Sequence, residues 1–491
     1  MQIDRLGRSG KFDELREFLQ SAGYTEDFLC ARFGLDRAEQ FDLDRTRRAP
    51  LPEPASAADI LTALYLAGEF MPLEQAQRLM GRDNISLLRD MGLLAIDAGG
   101  GRCHGTVALY PVADLHIASD RWSNPGDTPF EAPSDTVYPA FIPNTRLFLA
   151  HAPLGACGCF LDLCAGTGIA AILAARQGAR QVWAGDIAER CTRFAEFNGR
   201  LNGVAHFHPV TSDLYGSLGS DQFDRIVAHP PYVPALQPKW IFFSGGEDGE
   251  EITRRIVEGL PARLNDRGVF LALTMGTDRS DAPFESRIRE WLGQGGRDFD
   301  VALIVRKVLE PVQFAARSRE ESAAWKKLFA RLGVESLVYG FVVIQRRNGA
   351  HRTFTVRRQA SPGFGRAPWE WLLAWESADQ EGLLLQRPLY RGGDPEFQVR
   401  HRLEGGGWAP QRFTLRTEWP FDMECDAHPW MANLISLCDG RATGRDQLRV
   451  LVENGVLPPA IPEDEFARAV AGLVSGGFIE VEGFRPPRAG G

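Results

Sequence analysis

Between about residues 135 and 348 the chain alternates short apolar runs with amphipathic stretches. The runs are "CFLDLC", "QVWAGD", "AHFHPV", "FDRIVA", "GVFLALT", "VALIVRKV" and "VESLVYGFVVI". Each has strand length, and most are separated by segments with helical spacing. This alternation predicts an α/β domain with a doubly wound, mostly parallel sheet of seven strands.

The flanks read differently. "KFDELREFLQSA" puts Phe12, Leu15, Phe18 and Leu19 on one helical face, with Gly23 as its stop. "RAPLPEPASAAD" reads as a linker into a helix capped near Ser56. "LEQAQRLMG" and "NISLLRDMGLL", followed by "AIDAGGGRCHGTVALYPV", predict two helices and a hairpin, an arrangement that resembles a winged helix. Its second helix carries Arg89 but also Asp83 and Asp90, which favours packing or protein contact over reading DNA. Residues 349–425 predict a β-rich segment, through "FTVRRQ", "EFQVRHRLE" and "QRFTLRT", with its arginines on a solvated face. Residues 428–485 predict three helices and a terminal strand, again winged-helix-like, with Leu451, Val452, Ala469 and Leu473 in the core. "FRPPRAGG" reads as a frayed tail. The expected division is therefore 1–125, 135–348, 349–425 and 428–485.

Composition narrows the class. A chain of 491 residues holds several domains, and 44% hydrophobic with 24% charged residues is ordinary for a soluble protein. A net charge of −9 argues against a global grip on nucleic acid, DNA above all, or on an anionic membrane. No apolar run is long enough for a bilayer, and "MQIDRLGRSGKFDELREFLQ" has no signal-peptide core, so a cytoplasmic protein is expected. Eight cysteines do not make a disulfide scaffold at this length. Cys157, Cys159 and Cys164 lack zinc-knuckle spacing, so no metal is expected.

Four motifs carry candidate chemistry. In "FLDLCAGTGIAAILAA" a strand ending near Asp162 turns through Gly166 and Gly168 into a helix. Glycines there let backbone approach a ligand at the carboxyl end of a parallel sheet. A GxxxxGK[ST] phosphate loop is absent, and Ala171 stands where a dinucleotide fingerprint has its third glycine, though alanine is allowed there. Asp186 ends the next strand and either accepts from ribose hydroxyls or caps the following helix. Asp213, in "TSDLYG", either accepts from an adenine amino group or closes a turn. Last comes "RIVAHPPYVP", where two prolines stop a strand and stiffen a loop presenting His229, Pro230 and Tyr232.

The order of these parts resembles the class I S-adenosylmethionine-dependent methyltransferases with a Rossmann-like fold. Within them it is similar to the HemK-like amino-methylating branch, whose loop reads [N/D/S]PP[Y/F/W]. "SGGEDGEEITRRIVEGL" and "YPAFIPNTRLFL" add to the likeness. The resemblance implies S-adenosylmethionine as cofactor. It puts Asp162, Gly166 and Gly168 beside the methionine part, Asp186 on the ribose and Asp213 by the adenine. It assigns His229, the Pro230 carbonyl and Tyr232 to the nitrogen that receives the methyl. An amide or exocyclic amine is a weak nucleophile because its lone pair is delocalised, so such a loop would act by holding and aiming it. The family has asparagine, aspartate or serine where His229 stands. A neutral imidazole still accepts one hydrogen bond, could serve as a base near neutral pH, or merely caps the strand. The expected substrate is a planar nitrogen of a protein. An RNA base, a cofactor-binding module without catalysis, and a nicotinamide oxidoreductase are the alternatives.

Overall fold

The computed structural model describes residues 3–37, 40–41, 53–125, 130–237, 240–317, 321–347, 352–378 and 380–486. Of the expected linker, residues 48–52 lie outside these, as does the tail from residue 487. The chain falls into two compact units, Met1–Gly276 and Thr277–Gly491.

In the first unit the elements that build the sheet are α1 (Pro143–His151), β1 (Cys159–Leu163), α2 (Ile169–Arg176), β2 (Gln181–Asp186), α3 (Glu189–Leu201), β3 (Phe207–Thr211), β4 (Phe223–Ala228), α4 (Glu251–Arg263) and β5 (Leu264–Arg279, whose last residues belong to the second unit). The strand order is β5-β4-β1-β2-β3, and every pairing is parallel. The order of connection reverses between β1 and β4, with β2 and β3 on one side of β1 and β4 and β5 on the other. The carboxyl ends of these strands form the crevice where open α/β sheets bind ligands. The near-continuous burial of β1 and β4 follows from helices on both faces, which is why their sequences read as apolar runs.

The N-terminal residues share the core of this sheet. Phe12, Leu15, Phe18 and Leu19 are buried on the Phe12–Ser21 helix, and Phe12 packs on Phe197 of α3 at 5.4 Å between ring centres. Ser56 caps its helix in a reciprocal box with Asp59, as its position before an apolar run suggests. Helices Leu73–Met80 and Arg82–Asp90 precede a small antiparallel sheet containing the Leu94–Ile96 and Arg102–Gly105 hairpin.

α3 is fastened to the Leu115–Ser119 strand by a ladder of side chains. Asn198 mimics a strand: its Oδ1 accepts from the Ala118 amide at 2.7 Å and its Nδ2 donates to the Ala118 carbonyl at 2.9 Å. One turn on, Asn202 does the same for His116 at 3.0 and 2.8 Å. Two turns before Asn198, Arg190 pairs with the buried Asp120. Residues four apart fall on one helical face, so these side chains and Phe194 form one stripe.

In the second unit, Phe299–Leu309 pairs antiparallel with Val334–Arg346 and parallel with Thr355–Ala360. The expected strand "EFQVRHRLE" (Glu396–Glu404) forms a hairpin with Gly407–Thr417, which contains the expected "QRFTLRT". The β-rich stretch also holds two helices, Arg366–Glu376 and Gln380–Gln386. The reason is visible in "RAPWEWLLAWE": Trp369, Leu372 and Leu373 are spaced at i, i+3 and i+4 and are all buried. Three helices, Pro429–Leu437, Gly444–Glu453 and Glu463–Ser475, and the Ile479–Val481 strand close the chain. Leu451 and Leu473 are core residues there, whereas Val452 and Ala469 are only half-buried, because they sit at the edge of their helices' apolar faces. Among the described residues no helix is long and apolar enough to cross a membrane.

Candidate active site

One cavity of about 1000 Å³ opens at the carboxyl ends of β1 to β4. Asp162, Gly166, Asp186, Asp213, His229, Pro230 and Tyr232 all line it. Its volume sits at the top of the range for small-ligand pockets, roughly 300–1,000 Å³, enough for a nucleoside ligand and part of a second molecule.

The glycine turn forms the floor. β1 ends at Leu163, and Cys164 takes a left-handed φ of 56°, a conformation that costs a residue with a Cβ of order 1 kcal/mol and recurs at ligand sites. Gly166 follows at φ 53°, and a Cβ added there would meet nothing within 4 Å. Gly168, at φ 76°, plays another part: its Cβ would lie 3.0 Å from that of Ala195 and 3.3 Å from the Phe207 ring. The first glycine thus leaves space for a ligand, and the second lets α2 pack on α3 and β3 without itself lining the cavity. Asn198 also donates to the Thr167 carbonyl at 2.9 Å, joining the turn to the Leu115–Ser119 strand.

Asp186 holds the turn in place. Its two carboxylate oxygens accept from the Gly166 amide at 3.0 Å and the Ala188 amide at 3.1 Å. The Cys191 thiol and the Ile187 amide also donate to this carboxylate, so a ligand hydroxyl would share an oxygen with one of these donors. Burial pushes the Asp186 carboxyl up from its ordinary value, while these amides pull it back. Asp162 is buried at the end of β1, and burial pushes its carboxyl well up too. A cationic or hydroxylic ligand group would relieve both. Ile187, next to Asp186, is 59% exposed on the cavity wall, an apolar surface suited to a planar ring. Asp213 also faces the cavity, but its carboxylate is engaged by Arg255 at 2.8 Å. These donors, acceptors and open space fit an adenosine-type ligand with an amino-acid tail.

The HPPY loop, after β4 and so beside the turn that follows β1, lines the same cavity. His229 lies between two rings, Phe148 of α1 at 5.4 Å and Tyr232 at 5.8 Å, with interplanar angles of 27° and 22°. Burial lowers the imidazole pKa from 6.5 to about 4, so the ring is neutral at physiological pH. Asn144, also on α1, donates to the Tyr232 hydroxyl at 3.0 Å. The loop is braced from below by the 243–249 segment: Val233 donates to the Phe243 carbonyl at 3.1 Å, Gly245 to Val233 at 2.9 Å and Ala235 to Gly246 at 2.9 Å. A Cβ on Gly245 would fall 2.8 Å from the Tyr232 Cα, and one on Gly249 would fall 2.4 Å from its carbonyl oxygen. Gly245 and Gly249 of "SGGEDG" are therefore required by close backbone approach to the loop.

Residues 142–280 match the family model of the methyltransferase small domain. This central segment is a methyltransferase small domain. The glycine turn, Asp186 and the braced loop all lie within it. It is 34% identical over 119 residues to a candidate protein N5-glutamine methyltransferase of Methanocaldococcus jannaschii, covering 23% of this chain and 59% of that protein. It is 33% identical over 146 residues to the ribosomal protein uL3 glutamine methyltransferase of Bradyrhizobium diazoefficiens, covering 27% and 46%. The chain thus spans about half the length of the curated relatives it matches. Among solved structures, a ribosomal protein L11 methylase from Lactobacillus delbrueckii subsp. bulgaricus aligns at 21% identity over 39% of this chain and 70% of its own, with a TM-score of 0.23.

Four contributors to the cavity or its frame are given no role by sequence reasoning: Asn144, Phe148, Ile187 and Asn198, the last placed only on the helix after Asp186. The first two carry one faint signal, a spacing of four in "NTRLF", which places both on one face of α1. Asn198 yields a prediction. Asn198→Leu orphans the Thr167 and Ala118 carbonyls and the Ala118 amide, at roughly 1–3 kcal/mol each where no water reaches them. It should lower the Tm and weaken S-adenosylhomocysteine binding about tenfold by calorimetry. Asn202→Leu, which frees no group of the turn, should lower the Tm alone.

Proposed function

We propose that this chain is an S-adenosylmethionine-dependent methyltransferase whose acceptor is a planar amide nitrogen of a protein. The observation that carries the reading is a braced His229-Pro230-Pro231-Tyr232 loop lining one cavity together with Gly166 and Asp186. When bound, the cofactor would supply an electrophilic methyl group. The chain's own residues would do the rest. Asp186 would accept from the ribose hydroxyls, and Asp162 and Gly166 would border the amino-acid part. Asp213 would lie near the adenine, held by Arg255. His229 would accept one N–H of the amide, the Pro230 carbonyl the other, and Tyr232 would pack on the amide plane. Two acceptors on one nitrogen favour the pyramidal geometry it needs to attack. Transfer would form a C–N bond as the S–CH₃ bond breaks with its electron pair left on sulfur, and the acidic N–H proton of the methylated amide would pass to solvent water. We infer further that residues 1–125, 349–425 and 428–485 serve the 135–348 domain as accessory segments, and that the protein works in the cytoplasm.

The low pKa of His229 favours acceptance over general-base work at neutral pH. A ring with a pKa of about 4 is unprotonated from pH 5 upward, and its lone pair is lost only as pH falls through 4. Transfer should therefore be independent of this group across pH 5–8, and an inflection near 6.5 that disappears in His229→Asn would contradict the role. Substitution tests the loop directly. His229→Asn keeps an acceptor and should retain activity within about tenfold, whereas His229→Phe keeps the stack but not the acceptor and should lose roughly a hundredfold. S-adenosylhomocysteine affinity should stay unchanged in both. A His229→Phe variant as active as the wild type would refute the assignment.

A further inference from the structure

The mouth of the cavity is rimmed by apolar side chains that the transfer chemistry does not use. Tyr138 is 47% exposed, Ile241 41% and Phe243 44%. They are joined by Phe242, whose ring lies 5.1 Å from Tyr138 and 6.0 Å from Trp240. Exposed large apolar groups gathered in one place are unusual on a protein surface and mark contact sites. This rim is also rigidly tied to the acceptor loop. The Phe243 carbonyl receives the Val233 amide, and the Ile241 amide donates to the Ser134 carbonyl at 3.1 Å. Anything seated on the rim is thereby registered against His229 and Tyr232.

Charge decides what sits there. Asp162, Asp186, Asp213, Glu247 and Glu251 line the cavity, and among the described lining residues Arg255 alone is a permanent cation, already held by Asp213. A nucleic-acid backbone gains its affinity by replacing counterions with lysine and arginine. Here its phosphates would meet Glu247 and Glu251, which are exposed, the three aspartates being turned to the cofactor side. An uncharged or apolar peptide has no such conflict, and aromatic side chains offer it large contact area at small entropic cost.

We propose that the rim formed by Tyr138 and Trp240 to Phe243 is the docking site for the peptide segment that carries the acceptor amide, and that this segment presents apolar side chains beside the amide. The inference rests on the proposed transfer activity and adds its substrate determinant. Seating one phenylalanine-sized side chain is worth about tenfold or more in affinity.

The test is the rate of labelled methyl transfer from S-adenosylmethionine into extract of cells lacking this protein, measured against extract concentration. Wild type is compared with a Tyr138→Ser/Phe243→Ser double variant. Both positions are exposed, so the fold should survive, and S-adenosylhomocysteine affinity checks this. The expected result is protease-sensitive label. The variant should need about tenfold more extract for half-maximal rate, with maximal rate and S-adenosylhomocysteine affinity within about twofold of wild type. Equal half-saturation in both proteins would overturn the docking site while leaving the transfer reading intact. Ribonuclease-sensitive label would overturn the peptide as occupant. Absence of label from wild type that binds S-adenosylhomocysteine would overturn the transfer reading, and the docking site with it.

Discussion

Asp186→Ala is expected to weaken S-adenosylhomocysteine binding by about a hundredfold or more. Two effects add. The carboxylate is the proposed acceptor for two ribose hydroxyls, and hydrogen bonds to a charged group contribute roughly 1.5–3 kcal/mol each. Its loss also releases the Gly166 and Ala188 amides, which it now holds at 3.0 and 3.1 Å, so the glycine turn loses its anchor. Asp186→Asn, which retains one carbonyl acceptor, should fall between the two. Isothermal calorimetry at neutral pH measures all three. Unchanged affinity in Asp186→Ala would reduce the residue to a helix cap.

Gly249→Ala should have the opposite signature. The residue has φ 82°, and an added Cβ would come within 2.4 Å of the Tyr232 carbonyl oxygen, which is backbone and cannot swing aside. The acceptor loop must then shift by a sizeable fraction of an ångström. Misplacement of about 1 Å at a positioned nitrogen costs on the order of a hundredfold in rate. A Cβ on Gly249 would meet Tyr232 and Pro234 and neither the glycine turn nor Asp186, so S-adenosylhomocysteine affinity should remain within about threefold. Initial rates and calorimetry on one preparation separate the two effects. A variant with normal rate would mean that the loop tolerates displacement and that its rigidity has no role.

These two predictions mirror what the sequence disclosed. The glycine turn, the acid twenty residues beyond Gly166 and the proline-stiffened loop are local features, and each stands at the end of a strand whose apolar run marks it. Their convergence also follows from sequence, because parallel strands send their carboxyl ends to one edge. What escaped is long-range. Asn198 reaches Ala118 across 80 residues, and Asn144 reaches Tyr232 across 88. Neither pairing leaves a periodic trace, since an asparagine on a helix looks the same whether it faces water or a strand. Gly168 was grouped with Gly166 as a cofactor contact, but only neighbours brought in by α3 and β3 reveal its packing role. The helix at Arg366–Glu376 was obscured because tryptophan is common in strands, and burial on its i, i+3, i+4 face appears only with the surrounding core in place. His229 was identified as a departure from the family loop. Its protonation state required the flanking rings of Phe148 and Tyr232 and the resulting burial.

The central claim is transfer of a methyl group to a side-chain amide nitrogen, and the bond formed can be read chemically. Protein labelled from methyl-tritiated S-adenosylmethionine is hydrolysed in strong acid, which cleaves amides but not alkylated amines. A methylated amide then releases its label as volatile methylamine, whereas methylated lysine, arginine or histidine keeps it on the amino acid. Label recovered as methylamine, and absent with His229→Phe, is the predicted result. Label retained on a non-volatile amino acid, or found only in nucleotides, would contradict it.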